Sequence, residues 1–409
     1  MNTYDVIVVG AGPGGLLTAL ECAKTYPRVA LLEKNNRCGR KLLISGAGKC
    51  NITQAGEMQD FFTCYGKNAK FLKHALLTFT NEDLLTFFKK RGLDFVTTEK
   101  GKVFPKSMKA QDVLDVLIST CQHRGVDILT QQTVTAVEKQ DQFTVHTTQA
   151  MYQCQHLVIA TGGTTYQQIG TTGDGHTFAK ALGHKITPTK PALTPLKIKD
   201  YALVDMSGTS FEELTYTLWR DGKKIGTYQG DTLLTHSGVS GPGIINHSRD
   251  MQKGDVLKLN FVKAPNVEDF KQALTKTLNS DGKVLVKTVV RELNLTKRFA
   301  DKILALCGIE ETLKCAELTK VKRQALLTAL TEYDMQIKEL GGQHVAMVTT
   351  GGVSLKEIKP KTMESKKVEN LYFVGEVLDI DGDTGGYNIQ AAFSMGYVCA
   401  KAINAKKEG

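Results

Sequence analysis

Tyr4-Asp5-Val6-Ile7-Val8-Val9-Gly10-Ala11-Gly12-Pro13-Gly14-Gly15 is the stretch whose reading decides the fold. A short β-rich run passes straight into a glycine-rich turn, and residues Leu16 to Lys24 continue with helical spacing. A second apolar run, Val29-Ala30-Leu31-Leu32, then closes on Glu33. This is a β-turn-α-β unit with the dinucleotide-binding fingerprint at its first turn. Gly10 permits the tight turn, Gly12 lets the backbone approach a pyrophosphate, and Gly15 allows close strand–helix packing. Pro13 and Gly14 lie in the same cradle. The helix start offers free N–H groups and a partial positive charge to phosphates. Glu33 stands where an acid accepts the hydroxyls of an adenosine ribose.

Working outward, Gly46 to Asn51 forms a second glycine-rich loop, and helical stretches follow at Asn68–Phe79 and Asn81–Lys90, with Asn81 as the expected cap. From Val126 the pattern turns to strands at Asp127–Leu129, Thr133–Lys139, Gln142–Thr148 and Met151–Gln153, read as an antiparallel meander. Leu157–Ala160 returns as a buried strand that stops at Thr161-Gly162-Gly163. This ordering is that of FAD domains of the glutathione-reductase type, by analogy of fold. Pro188, Pro191 and Pro195 mark a boundary. A β-rich segment follows, with a hairpin at Asp221-Gly222, and residues 266–340 change to helical spacing with Thr296 and Thr319 as caps. Strand character resumes at Val345. Leu371–Glu376 is another buried strand ending in a glycine and an acid, and Gly385-Gly386 opens a final helix from Tyr387 to about Ala405.

The expected fold class is therefore α/β, with a discontinuous FAD-binding (Rossmann-like) domain of residues 1–189 and 346–409. A β-rich subdomain (190–265) and a small helical subdomain (266–345) are inserted into it. The length of 409 residues suits two or three subdomains. The net charge of +10 invites a nucleic-acid partner, yet residues 190–345 hold 23 Lys/Arg against 19 Asp/Glu. The densest run, Lys320-Val321-Lys322-Arg323, fits the polar face of one helix. No dedicated nucleic-acid site is expected, although basic character helps attract a polyanionic cofactor or substrate. No apolar run reaches the roughly 18 residues of a membrane span, and no basic leader precedes the first strand, so a cytoplasmic location is expected. The nine cysteines are scattered without a CxxC pair, which predicts reduced, mostly buried thiols and neither a zinc site nor a redox dithiol.

A flavin also needs its ribityl chain held and the negative charge that develops on its reduced ring stabilised. A helix start aimed at that edge does so. Gly385-Gly386-Tyr387-Asn388 suits this role, and Glu376 is placed to accept ribityl hydroxyls.

Four long motifs carry a resemblance: Gly39–Thr53 with Glu33-Lys34, Thr235–Pro242, Val348–Leu355 and Gly375–Gln390. Together they resemble the YhiN/BaiN-like flavoproteins, also called aminoacetone-oxidase-like NAD(P)/FAD-dependent oxidoreductases, from the first strand to the last helix. The resemblance implies a non-covalently bound FAD and the three subdomains. Its members are linked to amine oxidation, to reduction of unsaturated steroid-like compounds and to NAD(P)H oxidation. The cofactor-binding set implied by fingerprint and resemblance is Gly10, Gly12, Pro13, Gly14, Gly15, Glu33, Lys34, Arg40, Lys41, Ser45, Gly46, Gly48, Lys49, Cys50 and Asn51. It continues through Val134, Thr161, Gly162, Gly163, Gly375, Glu376, Gly385, Gly386, Tyr387, Asn388 and Ile389. The family loop usually reads Gly-Arg-Cys-Asn, and here Lys49 precedes Cys50, which keeps the charge and loses a planar fork. Tyr26 stands where many fingerprints have a glycine.

Among polar residues, Cys50 reads either as a thiol near the flavin or as a loop-packing cysteine. His236 reads as an acid–base group or as a turn histidine satisfied by backbone. Tyr387 is placed to wall the ring. Asn388 is either a ligand or a helix-start residue serving the backbone, and Asp174 a cap or a ligand. The leading function is an FAD-dependent oxidoreductase passing hydride between flavin N5 and a small molecule, with O2 or NAD(P)H as redox partner. With a single GxGxxG, NAD(P)H is expected at most as a transient donor. The alternatives are a flavoprotein acting on RNA and a non-catalytic flavin scaffold. Oligomeric state is not legible.

Overall fold

The computed structural model describes residues 2–408. They divide into two compact units, one of residues 2–192 with 343–408 and the other Leu193–Gly342.

The first unit is built on a sheet whose parallel part runs Asp127–Leu129, β2 (Val29–Leu32), β1 (Asn2–Val9), Met151–Ile159 and Leu371–Phe373. Hydrophobic strands buried on both faces are what such a sheet requires, and Val6 to Val9, Leu31 and Ile159 are all buried. Helix α1 (Pro13–Cys22) and the final helix (Tyr387–Glu408) pack together. Gly14 and Gly396 make that approach possible, since a Cβ on Gly396 would sit 2.6 Å from the carbonyl oxygen of Gly14.

Two strand expectations are corrected. Asp127–Leu129 is not part of the meander; it pairs parallel to β2, with Ala30 opposite Asp127. Met151–Gln153 and Leu157–Ala160 are one nine-residue strand, Met151–Ile159. Its first half holds Phe143–Thr147 antiparallel, and its second half holds Leu371–Phe373 parallel. The polar interruption at Gln153–His156 is strand alternation, in which Cys154 and His156 point inward and are buried. The cap of the helix Asn81–Lys89 is also corrected: Thr80 accepts from the Asp83 N–H and Asp83 bonds back, a capping box. Asn81 instead donates to the carbonyls of Gln54 and Gly56.

The second unit is a closed barrel in the order Leu196–Ile198, Gly238–Ser240, Lys223–Leu234, Ser210–Arg220, Val256–Asn260 and Tyr333–Leu340. The hairpin turn is where expected. Asp221 (φ 49°) and Gly222 (φ 74°) are both left-handed, matching the right-handed strand twist. Helices Val267–Ser280, Val286–Arg291, Lys297–Leu306 and Lys320–Thr331 follow, with Thr296 and Thr319 capping the last two. Helical character ends there: Tyr333–Leu340 is a barrel strand burying Met335 and Ile337 at period two. Helices and barrel share one core, knit by Phe211, Phe261 and Phe299 with ring centroids 4.7–5.0 Å apart. No helix among the described residues is long and apolar enough to cross a membrane.

Candidate functional site

The four glycines of the fingerprint do different jobs. A Cβ on Gly10 (φ 105°) would lie 2.5 Å from the Ala160 carbonyl oxygen, and one on Gly15 would lie 2.0 Å from that of Gly10. On Gly14 it would strike Val374 and the Ala392 carbonyl. These three are fixed by packing. Gly12 differs, because a Cβ there meets nothing within 4 Å. Gly12 is the N-cap of α1, no side chain caps that helix, and Pro13 follows at its first position. The helix start thus combines uncapped N–H groups with room beside Gly12, which is what a pyrophosphate cradle requires.

Glu33 closes β2 beside this turn and is only 9 % exposed. Its Oε2 accepts from the Ala11 N–H (3.1 Å), and its Oε1 accepts from the backbone and side-chain nitrogens of Asn35 (2.9 and 2.7 Å). A carboxylate offers about four acceptor positions, so Glu33 is oriented by the protein and keeps capacity for a ribose hydroxyl. Arg40 donates to Asn35 Oδ1 (2.9 Å), and Lys34 bridges to Asp174 (2.6 Å) and Thr172. Asp174 is thus an ion-pair partner. The cap of its helix is Gly173. Val134 is buried at the start of its strand, opposite Thr147.

A second polar centre gathers residues from four separated segments. Lys41 Nζ donates to Glu376 Oε2 (2.7 Å) and to Thr165 Oγ1 (2.9 Å), while Glu376 Oε1 accepts from the Thr349 N–H (2.8 Å). Thr349 Oγ1 in turn accepts from the Thr164 N–H (2.7 Å). Gly163 is held tight against this group: a Cβ there would be 2.2 Å from Thr349 Oγ1 and 2.7 Å from Glu376 Oε1. Gly162 (φ 76°) and Gly375 (φ 81°) make the turns after their strands. Thr165 and Thr349 were missed as site residues. The motif Val348–Leu355 contained the signal, but a threonine whose contribution is partly its backbone N–H looks like any strand residue.

Thr161 Oγ1 and Gln54 Oε1 are two of several buried polar side-chain atoms that find no hydrogen-bond partner among the described residues. Unpaired buried acceptors are costly, and both lie on segments expected to meet a cofactor. Gln54 Oε1 would be 3.4 Å from a Cβ on Gly385. Gly385 (φ 128°) and Gly386 (φ 98°) bring the chain against Thr53, 2.7 Å from a Cβ on Gly386, and the final helix starts at Tyr387. An open pyrophosphate cradle, a held ribose acid, an oriented second carboxylate and unpaired polar atoms fit an FAD.

The other expected residues lie as follows. Cys50 (φ 59°) is fully buried in a loop whose Gly46, Ala47 and Gly48 are also left-handed. Burial pushes its thiol up to about 12, as suits a cysteine that packs the loop and not one that reacts as a thiolate. Ser45 bonds the Leu42 carbonyl, Asn51 accepts from the Val103 N–H, and Lys49 is exposed. Tyr387 packs its ring edge-on against Phe61 (5.0 Å), with its phenol held protonated by burial. Asn388 bonds Gly382 at both N–H and carbonyl, which makes it a loop-holding residue, and Ile389 is half-buried. His236 lies in the second unit, exposed in the turn between two barrel strands.

Comparison with known proteins matches residues 4–402 to the family described as HI0933-like protein Rossmann domain. A ribosomal RNA dihydrouridine synthase of Haemophilus influenzae is 31 % identical over 99 % of this chain and 100 % of its own. The protein of the same name from Escherichia coli is 29 % identical over the full length of both. A 3-dehydro-bile acid delta(4,6)-reductase of Clostridium scindens is 27 % identical over 97 % of this chain and 98 % of its own. Among solved structures, a flavocytochrome c3 fumarate reductase matches with TM-score 0.48 and 16 % identity, covering 99 % of this chain and 78 % of its own.

Proposed function

The chain belongs to the HI0933-like Rossmann family, and on that premise we propose that this FAD-dependent oxidoreductase saturates a carbon–carbon double bond conjugated with a carbonyl group. The observation that carries the proposal is chemical. The names of the end-to-end relatives describe one reaction on two substrates: the C5–C6 bond of a uracil, and the unsaturated bonds of an oxo-steroid. In the proposed step on an α,β-unsaturated carbonyl, hydride adds to the carbon β to the carbonyl and a proton to the carbon α to it; the distal bond of a 4,6-dien-3-one would take hydride at the vinylogous δ carbon instead.

FAD held there would supply that hydride, with NAD(P)H as its proposed transient donor. The chain's own residues hold and orient. The start of α1 with Gly12 receives the pyrophosphate, Glu33 the ribose, and Glu376, fixed by Lys41 and Thr349, the ribityl hydroxyls. Tyr387, which keeps its proton, and His236 are the proposed proton donors at the α carbon.

The first substrate reading is a uracil base of ribosomal RNA, supported by the two relatives at 31 % and 29 % identity and by the net charge of +10. This reverses the order suggested by charge distribution alone. The second reading, favoured by the reductase at 27 % identity, is a small unsaturated ketone. Anaerobic single-turnover experiments separate them. The protein is reduced with NADPH or NADH and mixed with a ribosomal RNA fragment or with a 3-oxo-4,6-diene steroid. Flavin reoxidation coupled to a gain of two hydrogens by one substrate identifies it. Reduction of the flavin by a simple amine, with neither acceptor turning over, would sink the proposal in favour of an amine oxidase.

A further inference from the structure

The helical layer of the second unit carries a surface that the flavin chemistry does not use. Two of its helices begin against the electrostatic grain. Thr296 and Thr319 cap them by accepting from the N–H groups of Phe299 and Lys322. Each cap is followed by cations, Lys297-Arg298 and Lys320-Val321-Lys322-Arg323, with no acid in either first turn. Cations at the positive end of a helix are unfavourable by about 0.3–1 kcal/mol each. Residues 283–331 as a whole hold ten Lys/Arg and five Asp/Glu.

Several of these charges converge at one end of the layer. Arg323 donates to Asn279 Oδ1 (2.9 Å) at the close of the helix Val267–Ser280. Lys314 pairs with Leu285 in a backbone bridge, and Cys315 donates to the Val284 carbonyl, which brings Lys314 beside the Lys283 segment. Lys283, Lys314 and Lys320 are exposed, and none has a carboxylate partner among the described residues. Two acids stand beside them, each turned to a backbone N–H: Asp281 accepts from that of Lys283, and Glu317 from that of Lys314.

Beside this cationic end runs a groove of about 780 Å³, with Leu306, Cys307, Val321, Ala325, Ala329 and Tyr333 along it. Val321 is 79 % exposed between two lysines. Lys320 stands at one mouth. The far mouth, roughly 17 Å away along the helix, has Glu332 and Asp334, which are neutralised by Lys271 (2.6 Å) and Lys258 (3.3 Å). The surface is thus positive at one end and apolar along its length.

We infer that this surface docks a single-stranded segment of the RNA substrate, with phosphates on Lys320, Lys322 and Arg323 and an unstacked base against the apolar groove. A row of cations beside an apolar or aromatic platform is the arrangement single-stranded nucleic acid needs. The inference rests on the RNA reading of the function.

The test uses the FAD-loaded protein and a fluorescent single-stranded ribosomal RNA fragment containing unpaired uridines, titrated at several salt concentrations. The Lys320→Glu/Lys322→Glu variant should bind about ten-fold or more weakly, and its log-affinity against log-salt slope should fall by roughly 1.4. Acids at a helix start favour the helix, so its melting temperature should not drop, and its flavin reduction by NAD(P)H should match the parent. Ala325→Trp, which fills the groove, should weaken binding with the salt slope intact. Unchanged RNA affinity in both variants would overturn the docking surface while leaving the RNA reading standing. A parent protein that ignores RNA but turns over the steroid would overturn the reading itself. Equal binding of poly-glutamate and RNA at this surface would reassign it to an acidic protein partner.

Discussion

The ammonium of Lys41 stands 2.7 Å from Oε2 of Glu376, joining the short helix Arg40–Ile44 to a turn 335 positions further along the chain. Both side chains are partly buried, at 28 % and 19 % exposed. Glu376 is therefore already oriented for its proposed role toward the cofactor, with Lys41 on one oxygen and the Thr349 N–H on the other.

Lys41→Met should loosen FAD more than it loosens the fold. Losing a charge-assisted hydrogen bond of about 1.5–3 kcal/mol should raise the FAD dissociation constant by roughly one to two decades. Lys41→Arg should recover part of that loss. Fluorescence titration of apoprotein with FAD reads both. Equal affinity in parent and Lys41→Met would mean Glu376 is positioned by Thr349 alone.

Glu33 makes a parallel case with a built-in control. Glu33→Ala removes the proposed ribose acceptor and also strands the N–H groups of Ala11 and Asn35. Glu33→Gln leaves a side-chain oxygen for one of them. FAD affinity should fall by about one to two decades in the alanine variant. A dissociation constant that does not move in either variant would assign the ribose to another group.

What was legible in the sequence follows from how local the signal is. The β1–turn–α1 unit, the Asp221-Gly222 hairpin and the Thr296 and Thr319 caps are each specified by neighbours along the chain, and the structure has them. The helix Ala110–His123 is legible too, since Ala110, Val113, Leu114, Leu117 and Cys121 recur at helical spacing and are buried, with Ser119 and Gln122 on the exposed side. Tyr333–Leu340 was absorbed into the preceding helices because only Met335 and Ile337 mark its period. The Lys41–Glu376–Thr349–Thr165 centre is assembled from four distant segments, and pairing across such separations leaves no spacing to read. The motifs bounded its members and did not say which touch.

His156 sets an acid limit on stability. It is 1 % exposed, with Nε2 3.3 Å from the Tyr26 hydroxyl, and burial with Lys406 nearby lowers its pKa from 6.5 to about 4 against the pull of Glu364 and Asp5. The unfolded chain binds this proton near pH 6.5 and the folded chain does not until about 4. Stability is therefore full above pH 6.5 and is lost as pH falls through this window, by at most on the order of 3 kcal/mol. Urea denaturation at a series of pH values should show that slope, reduced in His156→Gln. An identical slope in the variant would place the titration elsewhere.

His236 separates chemistry from folding. It is exposed in a barrel turn, so His236→Ala should change the melting temperature by little, within about ±0.5 kcal/mol of stability. If it donates a proton to substrate, single-turnover reoxidation with the true acceptor should slow by roughly two to four decades while reduction by NAD(P)H is spared. A variant that turns over at the parent rate would remove His236 from the mechanism and leave Tyr387 as the candidate.

Gly12 and Gly15 should answer the same substitution in opposite ways. An alanine methyl at Gly15 would lie 2.0 Å from the Gly10 carbonyl oxygen, so strand and helix must part. Gly15→Ala should cost about 1–3 kcal/mol or more and reduce soluble yield. At Gly12 the backbone has φ −81°, and the methyl meets nothing within 4 Å. Gly12→Ala should therefore fold with a melting temperature close to the parent's, yet bind FAD at least about ten-fold more weakly, because the methyl occupies the space the pyrophosphate needs. Circular dichroism melts and FAD titration decide between the two effects. Undiminished FAD affinity in Gly12→Ala would mean that the open cradle at the start of α1 is not where the cofactor lies.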